Sequence, residues 1–152
     1  MTIIRAEATR TVAAAPEQVY AVFRDYEKAH PAILPKPYFD ELTIEEGGQG
    51  AGTVVRVRMK AMGVENNYLL TVSEPEPGRR LVEADPEAGV ETTFLVEPRD
   101  DGRTSQVTIT IDTKASTGVS GLVERLILPP FSRRILKQEL QLLADYLAAG
   151  EG

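Results

Sequence analysis

The sequence predicts a single α+β domain over residues 1–152, in which a curved antiparallel sheet of seven strands wraps round a long C-terminal helix. Three observations carry this expectation. Apolar and polar residues alternate with period two in successive short runs between Ile4 and Ile111, as strands buried on one face require. Turns rich in glycine, proline and aspartate separate the runs. Beyond them the period changes: Ile135, Leu136, Leu140, Leu143 and Leu147 recur at helical spacing, and Leu142 and Tyr146 widen the stripe until it needs a concave partner.

The first strand runs from Thr2 to Val12, with Ile4, Ala6, Ala8 and Val12 on one side and Arg5, Glu7, Thr9 and Thr11 on the other. Arg10 interrupts the apolar side. Ala15-Pro16-Glu17 then opens a helix, because proline at the first helical position forfeits an N–H that would be unpaired there, and Glu17 suits the positive helix end. Val19, Val22, Phe23 and Tyr26 form its apolar stripe. His30-Pro31 ends the run, since the residue before proline is pushed out of the α region. Pro31, Pro35 and Pro37 leave room for only a short helical turn around Ala32 to Leu34.

Leu42 and Ile44 begin the second strand, and the glycine run Gly47 to Gly52 turns the chain into the third, where Val55, Val57, Met59 and Ala61 oppose Arg56, Arg58 and Lys60. Tyr68, Leu70 and Val72 follow, then Leu81 to Asp85 after Glu76-Pro77-Gly78. Thr92, Phe94 and Val96 precede the hairpin signal Asp100-Asp101-Gly102, and Val107, Ile109 and Ile111 close the sheet. Sequence neighbours are expected to pair as a meander. Leu122, Val123, Leu126 and Ile127 fit the start of the last helix, which Pro129-Pro130 should kink or divide and Gly150 should stop.

Composition narrows the function classes. The chain has no cysteine, which removes disulfides, thiolate nucleophiles and cysteine-bound metals. A net charge of −6 opposes a nucleic-acid partner, and Arg133, Arg134 and Lys137 are read as a solvated helix face. No apolar stretch approaches the roughly 18 residues needed to cross a bilayer. Arg5 and Glu7 stand where a signal peptide needs apolar residues, so a soluble, cytoplasmic protein without stable membrane insertion is expected. A homodimer is compatible with this reading.

Catalytic motifs are scarce. His30 is the sole histidine, so any histidine relay or metal site must run through it; the ordinary role for it is a cation at a helix C-terminus, and the sharper one is acid/base work at the mouth between two helices. The glycine run leads into a strand, whereas a phosphate loop opens a helix. The carboxylate pairs Glu45-Glu46, Asp85/Glu87 and Asp100-Asp101 are read as solvated turns. Neither a catalytic residue nor a metal site nor a cofactor is assigned.

The order strand, helix, short helix, six strands and long helix resembles the START/polyketide cyclase superfamily, also called SRPBCC, over nearly the whole chain. The segments that carry the likeness are Ala15-Pro16-Glu17-Gln18-Val19-Tyr20-Ala21-Val22-Phe23-Arg24-Asp25-Tyr26, Gly50-Ala51-Gly52, Pro77-Gly78-Arg79-Arg80-Leu81, Asp101-Gly102-Arg103-Thr104 and the last helix with Glu139, Leu140 and Leu143. The resemblance implies a helix-grip fold enclosing a cavity. It transfers no catalytic residue, and the metal-using hydrolase branch needs several histidines that this chain lacks.

The expected cavity wall comprises Val55, Val57, Met59, Tyr68, Leu70, Phe94, Ile109, Ile111, Ile127, Phe131 and Ile135, with Tyr26 and Thr92 as inward polar groups and Arg10 either anchoring a ligand or reaching solvent from a strand end. Binding or transport of a small hydrophobic or amphipathic molecule of the lipid, polyketide or isoprenoid class is the leading expectation. A polyketide cyclase or dehydratase acting through Tyr26, His30, Tyr68 or Arg10 is the alternative. A third class, protein recognition, would use the convex basic stripe of Arg56, Arg58 and Lys60, while Leu126 to Phe131 is either a packed helix kink or a gate hinged at Pro129-Pro130.

Overall fold

The computed structural model describes residues 2–36, 38–61 and 63–151, so Pro37 of the proline-limited turn lies outside the described residues. The elements run β1 (Ile3–Val12), α1 (Pro16–Arg24), α2 (Ala29–Ala32), β2 (Phe39–Glu46), β3 (Val54–Ala61), β4 (Val64–Glu76), β5 (Arg80–Asp85), β6 (Val90–Arg99), β7 (Thr104–Lys114) and α3 (Gly118–Tyr146). A 3-10 turn, Asp100–Gly102, joins β6 to β7, and a π-helical turn, Leu147–Glu151, ends the described chain with Gly150 in the left-handed region.

The seven strands form one antiparallel sheet in the order β1-β7-β6-β5-β4-β3-β2. Neighbours pair from β2 to β7, as the meander expectation holds, but β1 does not meet β2. It lies along β7 instead, with Ala6 opposite Ile111 and Ala8 opposite Ile109. The helical connection explains the exception: α1 and α2 carry the chain across to the far edge, leaving β1 and β2 as the two edge strands.

Period-two alternation decides which face is dry. β1 buries Ile4, Ala6, Ala8 and Val12, β3 buries Val55 and Val57, and β7 buries Val107 and Ile109. Onto that face pack Val19, Val22 and Phe23 of α1 and Ile135, Leu136, Leu140 and Leu143 of α3. Gln18 accepts a hydrogen bond from the Ala15 N–H at the start of α1, and Pro16 holds the first helical position.

α3 remains one helix through Pro129-Pro130, so the expected division does not occur. The prolines leave the carbonyls of Arg125 and Leu126 without helical donors, but both residues are exposed and water can serve them. The two halves of α3 differ sharply. Leu126 is 75% exposed and Ile127 45%, with Val119, Leu122 and Val123 also exposed, whereas Ile135 is 3% exposed. No described helix is long and apolar enough to cross a membrane.

Candidate functional site

The site is built outward from the end of α1. Asp25 follows the helix, and its carboxylate accepts hydrogen bonds from the N–H groups of Glu27, Lys28 and Ala29 and from the Gln49 amide. Burial alone would raise its pKa, but these donors outweigh burial and hold it below the usual carboxylate range. The glycine turn docks here as well: Gly48 O accepts from Tyr26 N at 2.9 Å, and Gly50 N donates to Arg24 O at 2.8 Å. Gly50 adopts a positive φ of 63°, and a β-carbon there would stand 2.3 Å from Arg24 Nη2. The glycine run therefore does more than reverse the chain. It clamps the α1 terminus and so places Tyr26 and His30.

His30, the second residue of α2, is 1% exposed and stands, as expected, at a helix C-terminus, that of α1. Its Nδ1 lies 2.7 Å from the Phe23 carbonyl oxygen. A carbonyl only accepts, so Nδ1 carries a proton and Nε2 is the nitrogen turned to other chemistry. The ring stacks on Tyr26, centroids 4.5 Å apart and planes at 20°, and meets Phe94 edge-on at 5.3 Å.

Two acids from distant elements face Nε2. Glu83 Oε2 of β5 lies 3.6 Å away and Glu139 Oε2 of α3 lies 3.9 Å away, both side chains buried. The Tyr26 hydroxyl donates to Glu83 Oε2 at 2.5 Å. Burial, with the charge of Glu83 adding, raises the Glu139 carboxyl to about 8. Burial and then the charge of Glu83 likewise push the Tyr26 hydroxyl well above its ordinary 10. Glu139 Oε2 is buried without a hydrogen-bond partner among the described residues.

This cluster forms the inner end of a cavity of about 90 Å³, several times the roughly 10–15 Å³ that one water needs. Of its lining, His30, Glu83, Glu139, Phe94, Val57 and Leu136 are buried, whereas Tyr68, Thr92, Met59, Val90, Ile111 and Ser132 are half-buried. A polar pole under apolar walls can orient a guest and exchange a proton with it. Among the described residues, no group of three or more His, Asp or Glu side chains is arranged to hold a metal ion.

The structure separates the expected wall residues into two sets. Val57, Met59, Tyr68, Leu70, Thr92, Phe94, Ile111 and Ile135 line the cavity. Six others do not. Arg10 points along the inner face but reaches out to Gln141 Oε1 of α3 at 2.8 Å, keeping its charge near water. Tyr26 is 1% exposed and lies behind His30, held by Glu83. Val55 and Ile109 are fully buried in solid packing, because alternation selects the inner face without saying where space is left. Ile127 projects outward from the exposed half of α3, and Phe131 packs edge-on against Tyr38 at 5.8 Å.

Glu83 and Glu139 escaped the residue-level expectation. Glu139 did leave a signal, a charge within the apolar series Ile135, Leu136, Leu140 and Leu143. Glu83 left a similar one, standing two residues from Leu81 on the face that β5 buries. Asp85 shares that face and is 8% exposed, which corrects its assignment to a solvated turn: its carboxylate accepts from Leu69 N and Ala88 N.

Comparison with known proteins agrees with this architecture. A family model described as polyketide cyclase / dehydrase and lipid transport matches residues 4–148. The NMR solution structure of the KanY protein aligns with a TM-score of 0.83 at 27% identity, covering 97% of this chain and 99% of that one. The crystal structure of TTHA0849 from Thermus thermophilus gives 0.77 at 23% identity, with 97% and 99% covered. The Zhui aromatase/cyclase from Streptomyces sp. R1128 gives 0.74 at 21% identity, with 99% of each chain covered. The helix-grip fold is thereby shown. No curated protein sequence matches the chain significantly.

Proposed function

The chain belongs to the polyketide cyclase / dehydrase and lipid transport family, and from that premise we propose that its cavity binds a small amphipathic molecule, polar end inward against His30, Glu83 and Glu139. One observation carries the reading: Glu139 Oε2 is buried beside the cavity with no hydrogen-bond partner among the described residues. A buried polar atom left unpaired costs about 1–3 kcal/mol, and a guest with a donor at that end would recover it. Walls formed by Leu70, Phe94, Ile111 and Ile135 suit an apolar body of the lipid, polyketide or isoprenoid kind.

The test is a methyl NMR titration with 2-phenylethanol, a neutral amphipathic probe, alongside native mass spectrometry of gently purified protein. The expected result is saturable shifts at the methyls of Leu70, Ile111 and Ile135, abolished in Leu70→Trp. Absence of such shifts, together with a ligand-free mass spectrum, would reject the proposal.

A catalytic reading has its own support in His30 Nε2, which faces a proton-holding Glu139 across 3.9 Å inside the cavity. Such a pair is suited to acid/base steps of the cyclase or dehydratase type. Of the four residues that the sequence offers for that role, His30 and Tyr68 line the cavity, whereas Arg10 and Tyr26 do not. Turnover of any candidate substrate should fall by about 10²-fold or more in His30→Gln and Glu139→Gln; rates equal to wild type in both variants would exclude it.

A further inference from the structure

The inner end of the cavity is rich in carboxyl groups and poor in hydrogen bonds to them. Glu83 and Glu139 bring two carboxyl groups to it, yet among the described residues a single side-chain donor, the Tyr26 hydroxyl, bonds either of them. His30 commits Nδ1 to Phe23, and its Nε2 stands 3.6 and 3.9 Å from the nearest carboxyl oxygens, beyond hydrogen-bond reach. Glu139 is 5% exposed and its Oε2 is unpartnered. Among the described residues, no lysine or arginine lines the cavity. A guest carrying a carboxylate would thus meet two acids and no lysine or arginine.

We propose that the cavity selects an apolar molecule bearing an amine, with its ammonium group seated between Glu83 and Glu139. The inference rests on the binding role proposed above and names the chemical class of the guest. An ammonium offers several donors and no acceptor, which complements this pole. Its charge favours the ionised form of both acids, so as the amine enters, Glu139 releases its proton to solvent. A neutral alcohol supplies one donor and no charge. A carboxylate adds like charge where water is scarce and screening is weak.

Three probes with one apolar body separate these cases: phenethylamine, 2-phenylethanol and phenylacetate, each titrated into the intact protein and followed at the Leu70, Ile111 and Ile135 methyls. The amine should bind about tenfold or more tightly than the acid, with the alcohol between them. In Glu139→Gln, which keeps the shape and cannot take up the negative charge that the bound ammonium induces, the ratio of amine to acid affinity should fall by about tenfold; an unchanged amide fingerprint establishes that the variant is folded. Phenylacetate binding as tightly as phenethylamine, an unchanged ratio in the variant, or amine shifts confined to surface acids would overturn the inference. If the alcohol binds and charge makes no difference, amine selection fails while the binding role stands. If none of the three binds, both fail.

Discussion

Tyr26 donates its hydroxyl to Glu83 Oε2 at 2.5 Å while its ring stacks on His30 at 4.5 Å, so one side chain serves a buried acid and braces the neighbouring imidazole. Tyr26→Phe keeps the stack and deletes the hydrogen bond. Leaving a buried carboxyl without its donor costs about 1–3 kcal/mol. The urea midpoint should drop accordingly with the m-value unchanged. A midpoint equal to wild type would mean that Glu83 is satisfied some other way.

Glu139 makes stability depend on pH. Its carboxyl is raised from 4.5 to about 8 in the folded protein, so between those values the native state holds a proton that the unfolded chain has released. Stability is then fully retained below the unfolded value and declines as pH rises toward 8. Each unit of difference corresponds to ~1.4 kcal/mol, which makes the loss a few kcal/mol. Glu139→Gln removes this dependence, and its stability relative to wild type should climb from pH 5 to pH 8. Guanidinium denaturation at several pH values checks it; parallel profiles for the two proteins would contradict the assignment.

The two ends of α3 give opposite results on substitution. Ile135 is 3% exposed and lines the cavity, so Ile135→Ala should lose about 2–5 kcal/mol. Ile127 is 45% exposed, and Ile127→Ser should change stability by no more than about 0.5 kcal/mol and leave probe binding untouched. Thermal denaturation of both variants decides the matter, and a large loss in Ile127→Ser would restore it to the core.

Gly121→Ala tests how the N-terminal end of α3 is held. A β-carbon there would stand 1.9 Å from the Ser116 carbonyl oxygen, which is backbone and has little room to yield. The same segment is tied by Glu124, whose carboxylate accepts from the Ser116 N–H and hydroxyl. Overpacking of this kind costs about 1–3 kcal/mol, and lifting the first turns of α3 relieves it. Amide hydrogen exchange should speed up over residues 118–124 while the sheet stays protected. Unchanged exchange across that segment would show that the contact is not tight.

Read alone, the sequence determined the strands, the sided burial of the sheet and the long closing helix, because each follows from local periodicity and turn chemistry. Val57, Leu70, Phe94 and Ile135 were placed on the cavity side by the same periodicity. Three things belonged to tertiary structure. The pairing of β1 with β7 depends on where two helices set the chain down. The outward turn of Ile127 depends on how far the sheet extends beneath α3, which no spacing records. The cluster of His30, Glu83 and Glu139 unites residues more than fifty positions apart, and its character comes from burial: removed from water and set beside the charge of Glu83, the Glu139 carboxyl holds its proton in a way it would not in the unfolded chain.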